Sequence, residues 1–208
     1  MRRTTFGIVA AMLVMTAIAQ PSFGQVTPTA PVPAQVSEWI ASGFAGPTFG
    51  ATVQESNVGF GGTITYLREG VFGGEALATF TPDFGFAPNV ATDASVNNYM
   101  ANVVAAVAGG ANGRWQPFVS GGIGAMQIRG DVDTAANGIV QIKDTQLGSN
   151  IGFGVMLFNN RWGLRTDLRY FSSLQKNSED NPADIPDPTG VLTDTDFWRY
   201  NMGVAYRW

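Results

Sequence analysis

The last stretch of the chain alternates without a break. Trp198, Tyr200, Met202, Val204, Tyr206 and Trp208 fall on one parity, and Arg199, Asn201, Gly203, Ala205 and Arg207 on the other. Successive side chains of a strand point to opposite faces, so this segment reads as a strand with one apolar face and one polar or small face. Trp162, Leu164, Leu168 and Tyr170 stand in the same way against Arg165, Asp167 and Arg169. Leu147, Ile151, Phe153, Val155 and Leu157 oppose Gln146, Gly148, Asn150, Gly152 and Gly154. Earlier, Phe72, Ala76, Ala78 and Phe80 oppose Glu75 and Thr79, and Phe60, Ile64 and Tyr66 oppose Gly61, Thr63 and Thr65. Trp39–Phe49 and Trp115–Ile128 are too rich in glycine for their parity to be read. Asn97–Ala108 alternates Tyr99, Ala101, Val103, Ala105 and Val107 against Asn102. An alanine-rich stretch of that length also suits a helix, but it is assigned as a strand because Gly109, Gly110, Asn112 and Gly113 supply a hairpin turn after it.

The solvent follows from which face points inward. Arg165, Asp167 and Arg169 share one face, and leaving such charges unpaired in an apolar core costs many kcal/mol. An aliphatic face with Trp and Tyr at its ends matches a membrane slab bounded by aromatic girdles, and a tilted strand crosses hydrocarbon in about 9–11 residues. The alternative is a soluble periplasmic lipid-binding barrel with the same strands everted.

Connections strengthen the membrane reading. The links at about Arg68–Gly70, Gly109–Arg114 and Asn159–Arg161 are short, whereas those at Gly50–Asn57, Thr81–Val96, Gly130–Thr145 and Ser172–Asp196 are long. Tight turns on one side, long loops on the other and an even strand number are the habit of bacterial outer-membrane barrels, which keep both termini on the periplasmic side. The expected fold is an all-β, eight-stranded antiparallel up-and-down transmembrane barrel over residues 37–208. Charge divides along the same line. The long links hold Glu55, Asp83, Asp93, Asp131, Asp133, Asp144, Glu179, Asp180, Asp184, Asp187, Asp194 and Asp196 against Lys143 and Lys176, while Arg68, Arg114, Arg161 and Arg207 fall at the short turns or strand ends.

Composition removes whole classes of chemistry. The 208 residues include no cysteine and no histidine, so disulfides, thiolate or imidazole metal sites and Ser-His-Asp or Cys-His nucleophiles are excluded. A net charge of −4 argues against nucleic acid as a partner. Residues 1–24 read as a secretory signal peptide, with Arg2 and Arg3 before the apolar run Phe6–Ala19 and small residues after it, so that cleavage fits after Ala19 or Gly24. Residues 25–36, rich in Pro, Thr, Val and Ala, read as an extended leader. No later segment is a transmembrane helix by hydropathy.

In these segments the chain resembles the outer-membrane beta-barrel domain family, the small OmpA-like and OmpX-like barrels. The resemblance is carried by the terminal run Phe197–Trp208, by Pro117–Gly124 and by Trp162–Phe171, and it extends over about Val36–Trp208. It implies a bacterial outer-membrane location, contact with outer-membrane lipid and lipopolysaccharide, and a final strand whose Tyr200, Gly203, Tyr206 and Trp208 serve as a signal to the barrel-assembly machinery. Those residues also suit a lipid-facing girdle, to which Trp162, Tyr170, Trp198 and Trp208 are assigned. Larger members append a peptidoglycan-binding domain after the barrel. With the sequence ending at Trp208, that role is not expected.

Chemistry inside the barrel is expected to be structural. An eight-stranded barrel is just wide enough for side chains to fill, so Glu75, Arg165, Asp167, Arg169 and Arg199 are expected to form a lumen ion-pair network, with Glu75 touching Arg165 or Arg169. A narrow small-solute channel is the competing reading. Membrane-barrel enzymes that resemble this architecture rely on histidine, and Gly148–Gly152 places its serine directly after the first glycine, unlike a nucleophile elbow. The Gly122–Gly124 and Gly152–Gly154 fragments lack the third glycine of a phosphate loop. No catalysis, cofactor or resident metal is expected. Asp131 and Asp133 do not complete a calcium loop, and Asp180–Asp196 suits either a solvated acidic loop or a loop that collects divalent cations or basic ligands. The barrel is expected to be a monomer with a structural or cell-surface interaction role.

Overall fold

A computed structural model of the protein describes residues 37–50, 53, 56–84, 92–107, 114–134, 138–174 and 195–208, with 92–93, 131–134 and 138–142 described by their backbone alone. The signal peptide, the leader, the turn residues Gly109, Gly110, Asn112 and Gly113 and the loop residues Glu55, Lys176, Glu179, Asp180, Asp184, Asp187 and Asp194 lie outside the described residues, as do the side chains of Asp93, Asp131 and Asp133.

The chain forms β1 (Glu38–Phe49), β2 (Val58–Arg68), β3 (Phe72–Thr81), β4 (Thr92–Ala106), β5 (Trp115–Thr134), β6 (Gly138–Asn159), β7 (Trp162–Ser173) and β8 (Asp196–Arg207). Each strand pairs antiparallel with its sequence neighbour, and β1 pairs with β8, so the sheet closes into a barrel with no free edge along its wall. The seam is tied by backbone bonds between Trp39 and Trp208 in both directions, at 3.3 and 3.1 Å. The ambiguous fourth segment is a strand, with Tyr99 and Val103 exposed and Asn102 buried.

Connections β2–β3, β4–β5 and β6–β7, together with the start of β1 and the end of β8, lie at one end of the barrel, the turn end. The other four connections lie at the loop end. Two turns show why short links suffice: Glu69 and Gly70 take φ of 55° and 66°, and Asn160 takes 61°, the left-handed conformations that match the twist of a tight hairpin.

One expected loop is a ribbon instead. Gly130–Thr145 reads as a long link, yet β5 runs to Thr134 and β6 begins at Gly138, paired from Trp115↔Leu157 to Thr134↔Gly138. The run Ile139-Val-Gln-Ile142 is β-branched and apolar enough to hold a strand, a signal hidden in the sequence by the glycines and acids around it. β7 leaves β6 at Gly148↔Ser173, so from Gly138 to Leu147 β6 has no strand partner but β5 among the described residues. At about 3.3 Å per residue, this ribbon carries β6 on the order of 30 Å past its last pairing with β7.

The outer wall is apolar. Ile64, Val103, Ile123, Ile151, Phe153, Leu164, Met202 and Val204 are all exposed. Aromatic rings bound this belt. At the turn end Trp39 lies tilted against Tyr66 (5.0 Å), and Trp162 meets Tyr206 (4.9 Å), which in turn meets Trp208 (6.0 Å). At the loop end Phe60, Phe80 and Tyr99 form a chain at 5.6 and 5.9 Å, and Tyr170 meets Trp198 at 5.0 Å. The girdle assignment therefore separates into two: Trp162 and Trp208 belong to the turn end, Tyr170 and Trp198 to the loop end. A belt of this extent has no place in water, where contiguous apolar patches on monomers stay at a few hundred Å².

The inner face differs from the expected polar lining. Charged and amide side chains occupy the middle, but apolar clusters fill both ends. Toward the loop end Phe84, Val96, Ile128, Phe171 and Phe197 pack with Phe44, Leu77, Met100 and Met126. Toward the turn end Ile40, Leu67, Val104, Phe118, Met156 and Phe158 pack together. These residues share parity with the charges, so their faces read as polar only over the central positions. An eight-stranded interior is a packed core, and apolar side chains fill it wherever no hydrogen-bond partner is in reach.

Candidate functional site

The central layer of the lumen is built by strand alternation. Arg165, Asp167 and Arg169 occupy three successive inward positions of β7, Arg199 and Asn201 occupy two on β8, and Glu75 faces them from β3 across the barrel. All are buried, with Arg169 and Arg199 at 0% exposure and Arg165 at 1%.

Glu75 is the hub. Its Oε2 accepts from Arg165 Nη2 at 2.7 Å and from Thr65 Oγ1 at 3.2 Å, and its Oε1 accepts from Arg169 Nη2 at 3.0 Å and Asn102 Nδ2 at 2.9 Å. Asp167 is the second anion. It accepts from Arg165 Nε at 3.0 Å and Asn201 Nδ2 at 2.8 Å, and lies 3.7 Å from Arg169 Nε. Arg165 also donates to Thr63 at 2.8 Å, and its guanidinium sits 4.6 Å from the centroid of the Phe118 ring, where the polar layer meets the turn-end apolar cluster. Arg169 donates to Asn150, which donates to Asn102, at 2.7 Å each, and the bonds of Asn102 and Arg169 to Glu75 close the ring.

Glu75 thus lies against both Arg165 and Arg169. The structure also brings in Asn102, Asn150, Asn201, Thr63 and Thr65, which the sequence reading places on the polar faces of their strands without assigning them to the network. Neutral polar residues on an inward parity carry no signal of their own; only a charge on the facing strand makes them ligands.

Arg199 stands apart. Its Nε donates to Asn201 at 2.9 Å and its Nη1 to Thr81 at 3.3 Å, but it has no carboxylate partner and its Nη2 has no hydrogen-bond partner among the described residues. The buried layer accordingly holds Arg165, Arg169 and Arg199 against Glu75 and Asp167, one cation in excess.

Close packing of this layer depends on glycine. A Cβ on Gly122 would stand 2.0 Å from Ala101 O and 2.4 Å from Asn102 Oδ1, the atom that accepts from Asn150. On the final strand Gly203 pairs with Phe44, where a Cβ would meet Gly43 O at 2.0 Å. Tyr200 and Trp208 point outward, and Tyr206 packs between Trp162 and Trp208.

Among the described residues no three His, Cys, Asp or Glu side chains gather as a metal site, and no helix is long and apolar enough to cross a membrane. Glu75 and Asp167 are committed to Arg165 and Arg169, and Arg199 is held by Asn201 and Thr81 alone among the described residues.

No family model matches the chain, and no curated protein matches it either. Solved structures do. The chain is similar to the N-terminal beta-barrel domain of Pseudomonas aeruginosa OprF, at 16% identity over 84% of this chain and 98% of that one, with a TM-score of 0.53. It is similar to Ail, the attachment invasion locus protein of Yersinia pestis, at 13% identity over 84% and 99% of the two chains, with a TM-score of 0.53. A major outer membrane protein from Thermus thermophilus is similar at 16% identity over 83% and 100%, again with a TM-score of 0.53. At these identities the likeness is one of fold, and it agrees with the closed sheet and the inverted distribution of polar and apolar side chains: the chain has the fold of the small eight-stranded outer-membrane β-barrels.

Proposed function

We propose that this protein is an integral barrel of the bacterial outer membrane, monomeric and without catalytic activity, that serves as a structural or cell-surface interaction element and whose lumen is closed. The observation that carries the reading is the stacking of three layers inside the wall: an apolar layer at each end and a fully buried network of Glu75, Arg165, Asp167, Arg169 and Arg199 between them. A soluble lipid-binding barrel requires the reverse orientation, whereas here Val204 is 54% exposed and Arg165 is 1% exposed. The surface role is supported by the β5–β6 ribbon, which offers an extended strand edge at the loop end, the end that faces outward when the turns are periplasmic. Tyr200, Gly203, Tyr206 and Trp208 are taken as the assembly signal because they lie on or directly after the closing strand, three of them on or near the lipid face.

Planar-bilayer recording of the refolded protein tests the closure. The expected record shows no stable, reproducible openings. Stable unitary conductance would mean that a continuous water path crosses the Glu75 layer and that the protein is a narrow pore. Heat-modifiable migration and recovery in the outer-membrane fraction test the location, and full solubility without detergent would contradict it.

A further inference from the structure

Two of the buried arginines stand directly opposite each other. Arg169 of β7 and Arg199 of β8 are register partners, both face the lumen, and both are fully buried. Side chains in that relation have Cβ atoms about 4.5–5.5 Å apart, and like charges there are destabilising. Arg169 turns to Glu75 and keeps Asp167 Oδ1 at 3.7 Å from its Nε. Arg199 reaches past β1 to β2 and β3, where its Nη1 meets Thr81 and its Nη2 stands over Gly59, 2.7 Å from the place of a Cβ on that glycine. The buried guanidinium nitrogens that lack a hydrogen-bond partner are Arg169 Nε and Arg199 Nη2, and both belong to this opposed pair.

The surroundings of Arg199 hold its charge without neutralising it. Thr48, its register partner on β1, is fully buried and donates its hydroxyl to Asn57 O at 3.0 Å. On the loop side the next inward residue of β8 is Phe197, stacked on Phe171 at 5.1 Å and edge-on to Phe84 at 5.2 Å, so aromatic rings cover the guanidinium. Thr81 has a donor to offer: its Oγ1 accepts from Arg199 Nη1 at 3.3 Å, which leaves the hydroxyl hydrogen for a further acceptor. A water at Nη2 would satisfy the hydrogen bond and leave the buried charge uncompensated, whereas an anion answers both.

We propose that the lumen encloses a binding site for one small monovalent anion of halide size, held by Arg199 Nη2 with the Thr81 hydroxyl as second donor. The inference rests on the closed-lumen reading above. One negative charge brings the layer of Arg165, Arg169 and Arg199 against Glu75 and Asp167 to neutrality, which makes the anion monovalent. An eight-stranded interior is filled by its own side chains, which makes the anion small. Its bond to the guanidinium is charge-assisted, and the rings at the loop end make exchange slow, so the ion enters as the barrel forms.

The test is urea unfolding and refolding in lipid vesicles, carried out in sodium chloride, sodium bromide and sodium gluconate at equal ionic strength, gluconate being too large for the site. The unfolding constant of wild type is expected to be about tenfold smaller in chloride or bromide than in gluconate, the effect of an anion at about ten times its dissociation constant. Arg199→Met removes the charge together with its anion, so it is expected to lose that difference and to report the general effect of the salts; Arg68→Met, at an exposed turn, is expected to keep it. Arg199→Lys retains the charge and is expected to retain a dependence on halide, and Thr81→Val is expected to narrow the difference, which keeps the site testable if Arg199→Met does not refold. Crystals grown in bromide are expected to show an anomalous peak in the lumen against Arg199 Nη2. The proposal is overturned if wild type and R199M respond alike to the three salts, or if the bromide crystals show no such peak, water at Nη2 included. Stable conductance in planar bilayers defeats the closed lumen instead, whereas a closed barrel indifferent to halide defeats the site alone.

Discussion

Glu75 accepts hydrogen bonds from two buried arginines at once, and its removal leaves both guanidiniums short of an anion with only Asp167 in reach. Breaking a buried pair by deleting one partner costs about 3–5 kcal/mol, because the surviving charge is uncompensated. Glu75→Ala is therefore expected to lose about that much in urea unfolding from lipid vesicles; a loss below about 1 kcal/mol would mean that water reaches the layer. Arg199 predicts the opposite. It is buried without a carboxylate and with one unsatisfied nitrogen, so Arg199→Met is expected to be neutral or stabilising while Arg165→Met is strongly destabilising, and equal losses in the same unfolding experiment would refute the distinction. Gly122→Ala pushes a methyl into the Ala101 carbonyl oxygen and Asn102, and overpacking of this kind costs about 1–3 kcal/mol. Unchanged stability would show that the β4 backbone can yield. The charged members of this network are legible in sequence because a charge on a strand's inward parity needs a partner. Asn102, Asn150 and Thr63 are not, because the strands that bring them to Arg165 and Arg169 are distant in sequence.

Elements are readable to the extent that their two faces differ. β7 and β8 alternate between aromatic or aliphatic residues and charges, and their orientation follows from that contrast alone. β1 and β5 are obscured by glycines such as Gly43, Gly121 and Gly122, which occupy either face, so their inward sets of Ile40, Ser42 and Phe44 or Phe118, Ser120 and Met126 emerge only from the pairing. Apolar inward ends such as Phe171 and Phe197 are hidden for a different reason: a hydrophobic residue at a strand end suits a lumen cap and a girdle equally until register decides. The ribbon is hidden by Asp131, Asp133 and Gly138, which locally favour a loop, whereas extended pairing of β5 with β6 outweighs that preference. Because the ribbon contributes nothing to the closed wall beyond Asp131↔Thr92, replacing 133–139 with an Asn-Gly turn is expected to shift barrel stability by no more than about 0.5 kcal/mol in vesicle unfolding. A loss of several kcal/mol would make the ribbon part of the barrel's core.

For the molecule as a whole, everything rests on an inverted arrangement in which oily side chains look outward and ions are enclosed. The three-layer lumen and the two girdles have meaning only in that orientation. The sequence contains no cysteine, so single cysteines can be introduced one at a time along β8 without background. Spin labels at 200, 202 and 204 and at 201 and 205, in the refolded protein in bilayers, are the most direct probe, read by power saturation with oxygen, which concentrates in hydrocarbon, and with a water-soluble nickel complex. The expected result is high oxygen accessibility at 200, 202 and 204 and low accessibility to both reagents at 201 and 205. High nickel accessibility at 202 and 204, with oxygen reaching 201 and 205 instead, would contradict the orientation on which the whole account depends.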